Sequence, residues 1–204
     1  MQEKQEVEMN ITRHNLFSVP VTYFKGFLPL NIAHNVKEYI LADGLKYTTP
    51  YGVLSGAATT SYETGKITEF IQELVLNVDG CADLHNNIQK CIDDFTSSSG
   101  LPKCTIANSW VNIQQPVSIL KRHIHMSREG LSDISGSLYI NIDEESSNLL
   151  LENPNPYGFF YNKANYIIKP GIGDLILFPS WLTHNSDKIN LTKNRIVISF
   201  NAKH

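Results

Sequence analysis

Hydrophobic and polar positions divide the chain into a first half with helical spacing and a second half with strand-like segments. In the first half, apolar residues recur at three- and four-residue intervals, which places them on one face of a helix. This pattern predicts one helix that opens near Pro29, a second with a stripe from Ile67 to Val75, and a third over residues 82–97. The stripes are typical of core packing, and the breaker run Ser97–Pro102 ends the third helix.

The second half has the pattern of a β-rich domain. The segment from Leu16 to Phe27 predicts an edge strand that leads into it, because β-branched and aromatic residues are mixed with Pro20. After Pro102, turn residues separate a series of predicted strands: Thr105–Gln114, Ser118–His125, Ile134–Ile142, Asn148–Glu152, Tyr166–Lys169, Asp174–Phe178 and Arg195–Asn201. Evenly spaced short strands favour an antiparallel barrel or jelly roll, in which ligands bind at the mouth. Helices packed across one outer face of the sheet would make the fold class α+β.

Length, charge and cysteine usage narrow the class of protein. A chain of 204 residues fits one domain, 1–204, with residues 1–102 as helical support and first strands and residues 103–204 as the jelly-roll half. The net charge of −3 is spread without a basic block, which argues against a dedicated nucleic-acid binder. Three cysteines without C-x-x-C spacing fit a reduced, cytoplasmic location. A charged N-terminus and the lack of an apolar run near ~20 residues predict neither a secretory signal nor a membrane span.

His123 and His125 are the centre of the candidate chemistry. They stand two positions apart on a predicted strand, so both side chains point to the same face. His184 follows the apolar run Leu175–Phe178, and a turn after that strand could return its imidazole to the first two. Imidazole is a common ligand of Fe, Zn, Cu and Ni. The three histidines therefore predict a metal site within residues 103–204.

Arg195 adds a candidate anion site to the same half. Arg195, Val197 and Ser199 alternate along the last predicted strand, which puts a guanidinium and a hydroxyl on one face inside the barrel. A buried arginine is costly unless it is paired with an anion. Its planar fork is suited to a bidentate contact with a carboxylate, so we expect a carboxylate ligand there.

Five sequence pieces resemble the 2-oxoglutarate/Fe(II)-dependent oxygenases of bacteria and phages: Trp110-Val-Asn112, His123-x-His125, Ser135-Gly-Ser-Leu-Tyr139, Gly173-Asp-Leu-Ile-Leu-Phe-Pro-Ser-Trp-Leu-Thr-His184 and Arg195-x-x-x-Ser199-Phe-Asn201. The resemblance covers nearly the whole C-terminal half. It implies a prolyl-hydroxylase-like double-stranded β-helix, which is a jelly-roll, cupin-like core supported by the N-terminal helices. For a phage-encoded protein, the cytoplasm would be that of the host.

The resemblance also implies roles for individual residues. Fe(II) would be held by His123, His125 and His184. The cosubstrate 2-oxoglutarate would chelate the iron. Its distal carboxylate would pair with Arg195, aided by Ser199, and would contact Tyr139. Asn112 would line the cosubstrate pocket. The reaction would use O2 to convert 2-oxoglutarate to succinate and CO2 and would hydroxylate a C–H bond of a substrate that the sequence does not identify.

One departure from the superfamily concerns the second ligand. A histidine, His125, stands where most of these oxygenases carry Asp or Glu, although H-x-H is common in this subgroup. A site with three neutral ligands keeps the full +2 charge of the metal, which alters metal preference or redox potential. Asp133 is the carboxylate to test as a substitute ligand. The segment between the histidine pair and Ser135 looks longer than usual and would shape the pocket rim.

Two other readings stay open at the level of sequence. His123-x-His125-x-x-x-Glu129 with Gly136, followed by Gly173-x5-Pro179, also fits the spacing of a cupin-type dioxygenase or isomerase that does not use 2-oxoglutarate. Alternatively, the chain is a non-enzymatic binding or virion-associated module, in which the histidines hold a structural Zn or no metal. A cosubstrate clamp at Arg195 would separate these readings. The sequence leaves the oligomeric state open, a homodimer included.

Overall fold

A six-stranded antiparallel sheet is the centre of the fold. The computed structural model describes residues 18–42, 54–55, 58–62, 68–125, 132–142, 148–155, 165–186 and 193–204. The elements are β1 Thr22–Phe24, α1 Leu30–Ala42, β2 Leu54–Ser55, β3 Ala58–Thr60, α2 Phe70–Asn77, α3 Leu84–Ser99, β4 Thr105–Gln114, β5 Ile119–Leu120, β6 Ile134–Asn141, β7 Leu149–Glu152, β8 Asn165–Ile168, β9 Leu175–Pro179, β10 His184–Ser186 and β11 Arg195–Lys203. The large sheet has the order β1-β9-β6-β11-β4-β3, and a smaller sheet has the order β10-β7-β8.

The helices and most strands confirm the predictions from apolar spacing. α1 buries Ala33, Val36 and Ile40 along one face, and α2 begins at Phe70, whereas Ile67 lies outside the described residues. α3 ends where the breaker run predicts, with Gly100 in the left-handed region at φ 66°, a conformation that glycine adopts without steric cost. β1 lies at the edge of the large sheet, as predicted for the first strand.

The prediction of one continuous strand over Ser118–His125 is wrong. β5 covers only Ile119–Leu120 and pairs with β2. Beyond it the backbone makes separate contacts, a bridge between His123 and His184 and a bond from the His125 N–H to the Ser180 carbonyl. The segment therefore changes partners within a few residues and forms no continuous ladder. The short strand β10, which begins at His184, is not predicted by the sequence.

The outer face of the large sheet packs against the three helices. One core cluster joins buried helix residues to buried strand residues, among them Ile40, Leu74, Ile92, Val111, Leu138, Leu177, Ile198 and Phe200. Full burial of each such side chain contributes about 1.5–3 kcal/mol. Gly136 lies opposite Phe200 in the β6–β11 register, and a Cβ there would stand 2.0 Å from the Phe200 ring. Glycine at this position therefore leaves room for the tip of the Phe200 ring against β6.

The inner face of the large sheet is unusually polar. The β4–β11 register pairs Gln114 with Arg195, Asn112 with Val197, Trp110 with Ser199, and Asn108 with Asn201. The same row of β11 residues faces Tyr139, Ser137 and Ser135 of β6. A second, smaller apolar cluster, which includes Val197, Leu149 and Leu151, joins this face to the sheet of β10, β7 and β8. The two facing sheets enclose the candidate site. None of the helices in the described part of the chain has the length and apolar character needed to span a bilayer.

Candidate metal centre

Three histidines converge at one end of the inner face. One ring nitrogen each from His123, His125 and His184 lies within 4.8 Å of the other two. The Nε2 atoms of His123 and His125 are 3.2 Å apart. Two nitrogens that bind one ion at about 2.1 Å with a near-right angle between them are separated by about 3 Å. The structure therefore brings together the three histidines singled out in the sequence, and their nitrogens could hold a metal ion.

Backbone hydrogen bonds place two of the rings side by side. His123 N donates to His184 O at 3.1 Å, and His184 N donates to His123 O at 3.0 Å. Residues that exchange both bonds across an antiparallel pair have side chains on the same face. His184 also pairs with Leu151 of β7, so the smaller sheet fixes the third ligand. The His184 side chain is buried, whereas those of His123 and His125 are half-buried.

Main-chain carbonyls set the tautomers of two rings. His123 Nδ1 lies 2.7 Å from Lys121 O, and His184 Nδ1 lies 2.9 Å from Leu182 O. A carbonyl oxygen only accepts, so each Nδ1 carries the proton and each Nε2 keeps its lone pair. Burial, together with the neighbouring His123, lowers the pKa of His125 to about 4. Burial likewise lowers the pKa of His123 and of His184. All three rings are therefore neutral and able to bind a metal at pH 7.

A buried cation lies further along the same face. Arg195 is 2% exposed, and its Nη1 donates to the Oε1 atom of Gln114, its cross-strand neighbour. The guanidinium carbon of Arg195 lies 5.2 Å from the centre of the Tyr139 ring. Burial raises the pKa of Tyr139, and the nearby Arg195 charge opposes that rise. Within the described part of the chain, the buried Tyr139 hydroxyl makes no hydrogen bond of acceptable geometry.

The other predicted pocket residues share this face. Asn112 Nδ2 donates to Ser199 Oγ at 3.2 Å, so these two side chains form a polar pair between the histidines and Arg195. The structure thus brings together Arg195, Tyr139, Ser199 and Asn112 on the inner face. A buried guanidinium next to a buried tyrosine hydroxyl offers two donors to one carboxylate, so the surroundings suit a carboxylate ligand.

Two residues of this face were not predicted as site residues: Gln114 was not singled out, and Trp110 was predicted to be a packing residue. Gln114 contacts Arg195 directly, and the ring of Trp110 lies 5.6 Å from that of His125. Trp110 also packs edge-on against Tyr62 at 5.1 Å, so it is a neighbour of the site and not only a core residue. The alternation along β4 that puts Asn108, Trp110, Asn112 and Gln114 on one face is the signal that could have found them.

The candidate substitute carboxylates lie elsewhere. Asp133 accepts hydrogen bonds from the backbone N–H and Nδ1 of His204, both at 2.9 Å. Asp174 accepts from the Gly26 and Gly171 N–H groups and from the Tyr23 hydroxyl. Among the described residues, neither belongs to the histidine cluster. Asp143 and Glu129 lie outside the described residues.

Solved structures similar to this fold include enzymes that bind or depend on 2-oxoglutarate. A prolyl-4-hydroxylase from Pseudomonas putida superposes with a TM-score of 0.64 at 13% identity, covering 93% of this chain and 95% of that one. A viral collagen prolyl hydroxylase from Paramecium Bursaria Chlorella virus-1, in complex with 2OG, gives 0.56 at 15% identity, covering 89% and 94%. The α-ketoglutarate-dependent epimerase SnoN from nogalamycin biosynthesis gives 0.64 at 13% identity, covering 91% and 78%. These likenesses establish the double-stranded β-helix fold with supporting helices.

Part of the sequence also matches a protein-family model. Residues 108–201 match the family described as "Putative 2OG-Fe(II) oxygenase". This segment contains the three histidines and the residues around Arg195, so the part of the chain that matches the family model is the part that carries the candidate site. No curated protein sequence matches the chain. The family's cosubstrates are 2-oxoglutarate and O2, and its metal is Fe(II).

Proposed function

We propose that His123, His125 and His184 hold Fe(II) in a hydroxylase that binds 2-oxoglutarate through Arg195. The observation that carries the proposal is the approach of the two Nε2 atoms of His123 and His125 to 3.2 Å. The Nδ1 atom of His123 is protonated against Lys121 O and that of His125 against Asn201 Oδ1, so the two Nε2 atoms present lone pairs that face each other and repel. A shared cation converts that repulsion into two bonds, so the donor set fits a metal.

The chemistry of the donors fits iron of this family. Three neutral imidazoles leave the full +2 charge on a bound ion, which favours an anionic chelating cosubstrate such as 2-oxoglutarate. When bound, the metal would supply the coupling of O2 reduction to decarboxylation of 2-oxoglutarate and to oxidation of a substrate C–H bond. The protein residues bind, orient and shield the reactants from water.

Arg195 would bind the distal carboxylate of 2-oxoglutarate. Its guanidinium is buried and can donate two parallel hydrogen bonds to a carboxylate. Such charge-assisted hydrogen bonds are strongest in a buried setting. Gln114 holds one arm of the fork through Nη1, which fixes the plane of the guanidinium. The Tyr139 hydroxyl would donate to the same carboxylate, and the Asn112–Ser199 pair would line the pocket.

The primary substrate of the proposed hydroxylase is a peptide or a small natural product, by analogy with similar structures. Similar structures hold a peptide of hypoxia inducible factor in one case and nogalamycin RO in another, so their ligands span peptides and natural products. We propose a cytoplasmic enzyme, because Cys81, Cys91 and Cys104 are free thiols and suit a reducing compartment. A homodimer stays open.

The test is an anaerobic titration of the metal-free protein with Fe(II) and then 2-oxoglutarate. We expect a weak visible metal-to-ligand charge-transfer band, and succinate release when O2 is admitted. Arg195→Ala should abolish 2-oxoglutarate binding and leave Fe(II) binding intact, whereas the control Lys90→Ala, an exposed cation on α3, should change neither. If Fe(II) binds and 2-oxoglutarate does not, the cupin-type reading replaces this one.

A further inference from the structure

We propose that Asn201 is a positioning residue that fixes the His125 ring as a metal ligand through its side-chain oxygen. The inference rests on the proposed metal role of the three histidines. It concerns how this chain holds the ligand that stands where a carboxylate is usual.

The His125 ring is held by side chains from two other strands. Its Nδ1 lies 2.8 Å from Asn201 Oδ1 on β11 and 2.9 Å from Ser135 Oγ on β6. Asn201 and Ser135 are cross-strand partners, and Ser135 Oγ also lies 3.1 Å from Asn201 Oδ1 and 2.9 Å from Ser180 Oγ. The His125 backbone N–H donates to Ser180 O at 3.0 Å. Ring and backbone are therefore tied to one polar cluster.

The cluster dictates which nitrogen faces the metal. Asn201 Oδ1 only accepts, so the hydrogen bond to it requires a proton on His125 Nδ1. The Ser135 hydroxyl can donate its single hydrogen bond to Asn201 Oδ1 or to Ser180 Oγ. It is then free to accept a hydrogen bond from His125 Nδ1. The His125 Nε2 atom then keeps its lone pair and points to His123 Nε2. This is the tautomer that the proposed site needs.

His125 differs from the other two ligands in how it is fixed. His123 and His184 bond to main-chain carbonyls two residues earlier in the chain, and a side-chain substitution does not remove those acceptors. The His125 acceptors are instead side chains on two strands, Ser135 on β6 and Asn201 on β11. The orientation of the His125 ring is therefore sensitive to single substitutions, above all at Asn201, whose Oδ1 atom requires the proton on His125 Nδ1.

The acceptor is a neutral amide, which has a chemical consequence. A carboxylate at this place would make the imidazole more basic and lower the net charge around the ion. An amide fixes the ring and leaves His125 a neutral ligand. Asn201 thus sets orientation without adding charge, and the isosteric change to Asp keeps the acceptor while adding one negative charge.

Asn108 supplies a matched control. It is the cross-strand partner of Asn201 on β4 and lies on the same face of the sheet. Its buried Oδ1 atom makes no hydrogen bond within the described residues. Asn108→Ala therefore removes the same chemical group from the same row of the sheet without touching the histidine cluster.

The experiment uses Co(II) as the probe on the full chain, without 2-oxoglutarate. A chelator competition gives the dissociation constant, the visible d–d bands report the ligand geometry, and melting of the metal-free protein reports folding. We expect Asn201→Ala to weaken Co(II) binding by about 10–100-fold and to change the bands, while its metal-free melting point stays close to wild type. Asn201→Asp should restore tight binding, Ser135→Ala should give a smaller loss than Asn201→Ala, and Asn108→Ala should bind as wild type does.

Wild-type affinity and bands in Asn201→Ala would overturn the inference, as would an equal loss in Asn108→Ala. If Asn201→Ala does not fold, Asn201→Asp decides: loss of Co(II) in that folded variant contradicts the positioning role, and retention supports it. A protein that binds Co(II) with the predicted dependence on Asn201 but never binds 2-oxoglutarate would support this inference and contradict the oxygenase proposal. The two failures are thereby distinguishable.

Discussion

His123 and His184 exchange both of their backbone hydrogen bonds, at 3.1 and 3.0 Å, and their rings lie 4.2 Å apart between centres. Main-chain hydrogen bonds thus hold two proposed metal ligands from distant segments of the chain side by side without a bound ion. The third ring, on His125, lies 4.9 Å from that of His184 and is fixed by side chains instead. The candidate centre combines a rigid pair with one adjustable ligand.

Removal of His184 should abolish tight metal binding. His184→Ala leaves two imidazoles and opens a cavity in a buried position, so we expect Fe(II) and Co(II) affinity to fall at least ~100-fold. The measurement is competition with a chelator under anaerobic conditions. His34→Ala, on the exposed side of α1, is the matched control and should bind as wild type does. Equal metal affinity in both variants would refute the assignment of His184.

The metal-free protein should lose stability as the pH falls from about 6.5 toward about 4. The pKa of His125 is lowered to about 4 in the fold and returns to about 6.5 in the unfolded chain. Between these values the unfolded state binds more protons than the folded state, so the free energy of unfolding rises with pH. The stabilising contribution of neutral His125 is complete above about pH 6.5. His123 and His184 act in the same direction.

This pH dependence is measured by urea denaturation of the metal-free protein at pH 7.5, 6.5 and 5.5. His125 alone should contribute on the order of 1–3 kcal/mol across its full range, and His125→Gln should flatten the slope. A free energy of unfolding that does not change between pH 7.5 and 5.5 would show that these rings are not kept neutral by the fold.

Gln114 should control cosubstrate affinity without affecting the metal. Gln114→Met keeps the side-chain volume but removes the acceptor for Arg195 Nη1. A hydrogen bond to a charged group contributes about 1.5–3 kcal/mol, so 2-oxoglutarate binding should weaken about 10-fold or more. Calorimetric titration of the Fe(II)-loaded protein under anaerobic conditions tests this, with the Fe(II) affinity as internal control. Unchanged 2-oxoglutarate binding would remove Gln114 from the pocket.

Gly136→Ala should destabilise the sheet through Phe200. An added Cβ would stand 2.0 Å from the ring, and overpacking of this kind costs about 1–3 kcal/mol. In the double variant Gly136→Ala/Phe200→Leu, the smaller side chain gives room to the new methyl group, so the two changes should be less than additive. Urea denaturation of both single variants and the double variant gives the coupling energy. Strict additivity would contradict the proposed contact.

The sequence predicted the three helices, most strands and the three metal-ligand candidates, because apolar periodicity and the i, i+2 spacing are local features. It did not predict β10 or the break after β5, since the partners of such short segments are decided by distant parts of the chain. Gln114 and Asn201 were missed as site residues for a related reason. The pairing of β11 with β4 places Gln114 beside Arg195, and the position of β11 next to β6 places Asn201 beside His125. The register of strand pairing cannot be derived from a single sequence.

X-ray absorption spectroscopy of the Fe(II)-loaded protein tests the central claim most directly, because it counts the imidazoles on the metal. We predict scattering from three histidine rings with nitrogen at about 2.1 Å in the wild-type protein, and from two rings in His184→Ala. A first shell with one or no imidazole, or an identical spectrum from the His184→Ala variant, would contradict the three-histidine iron site.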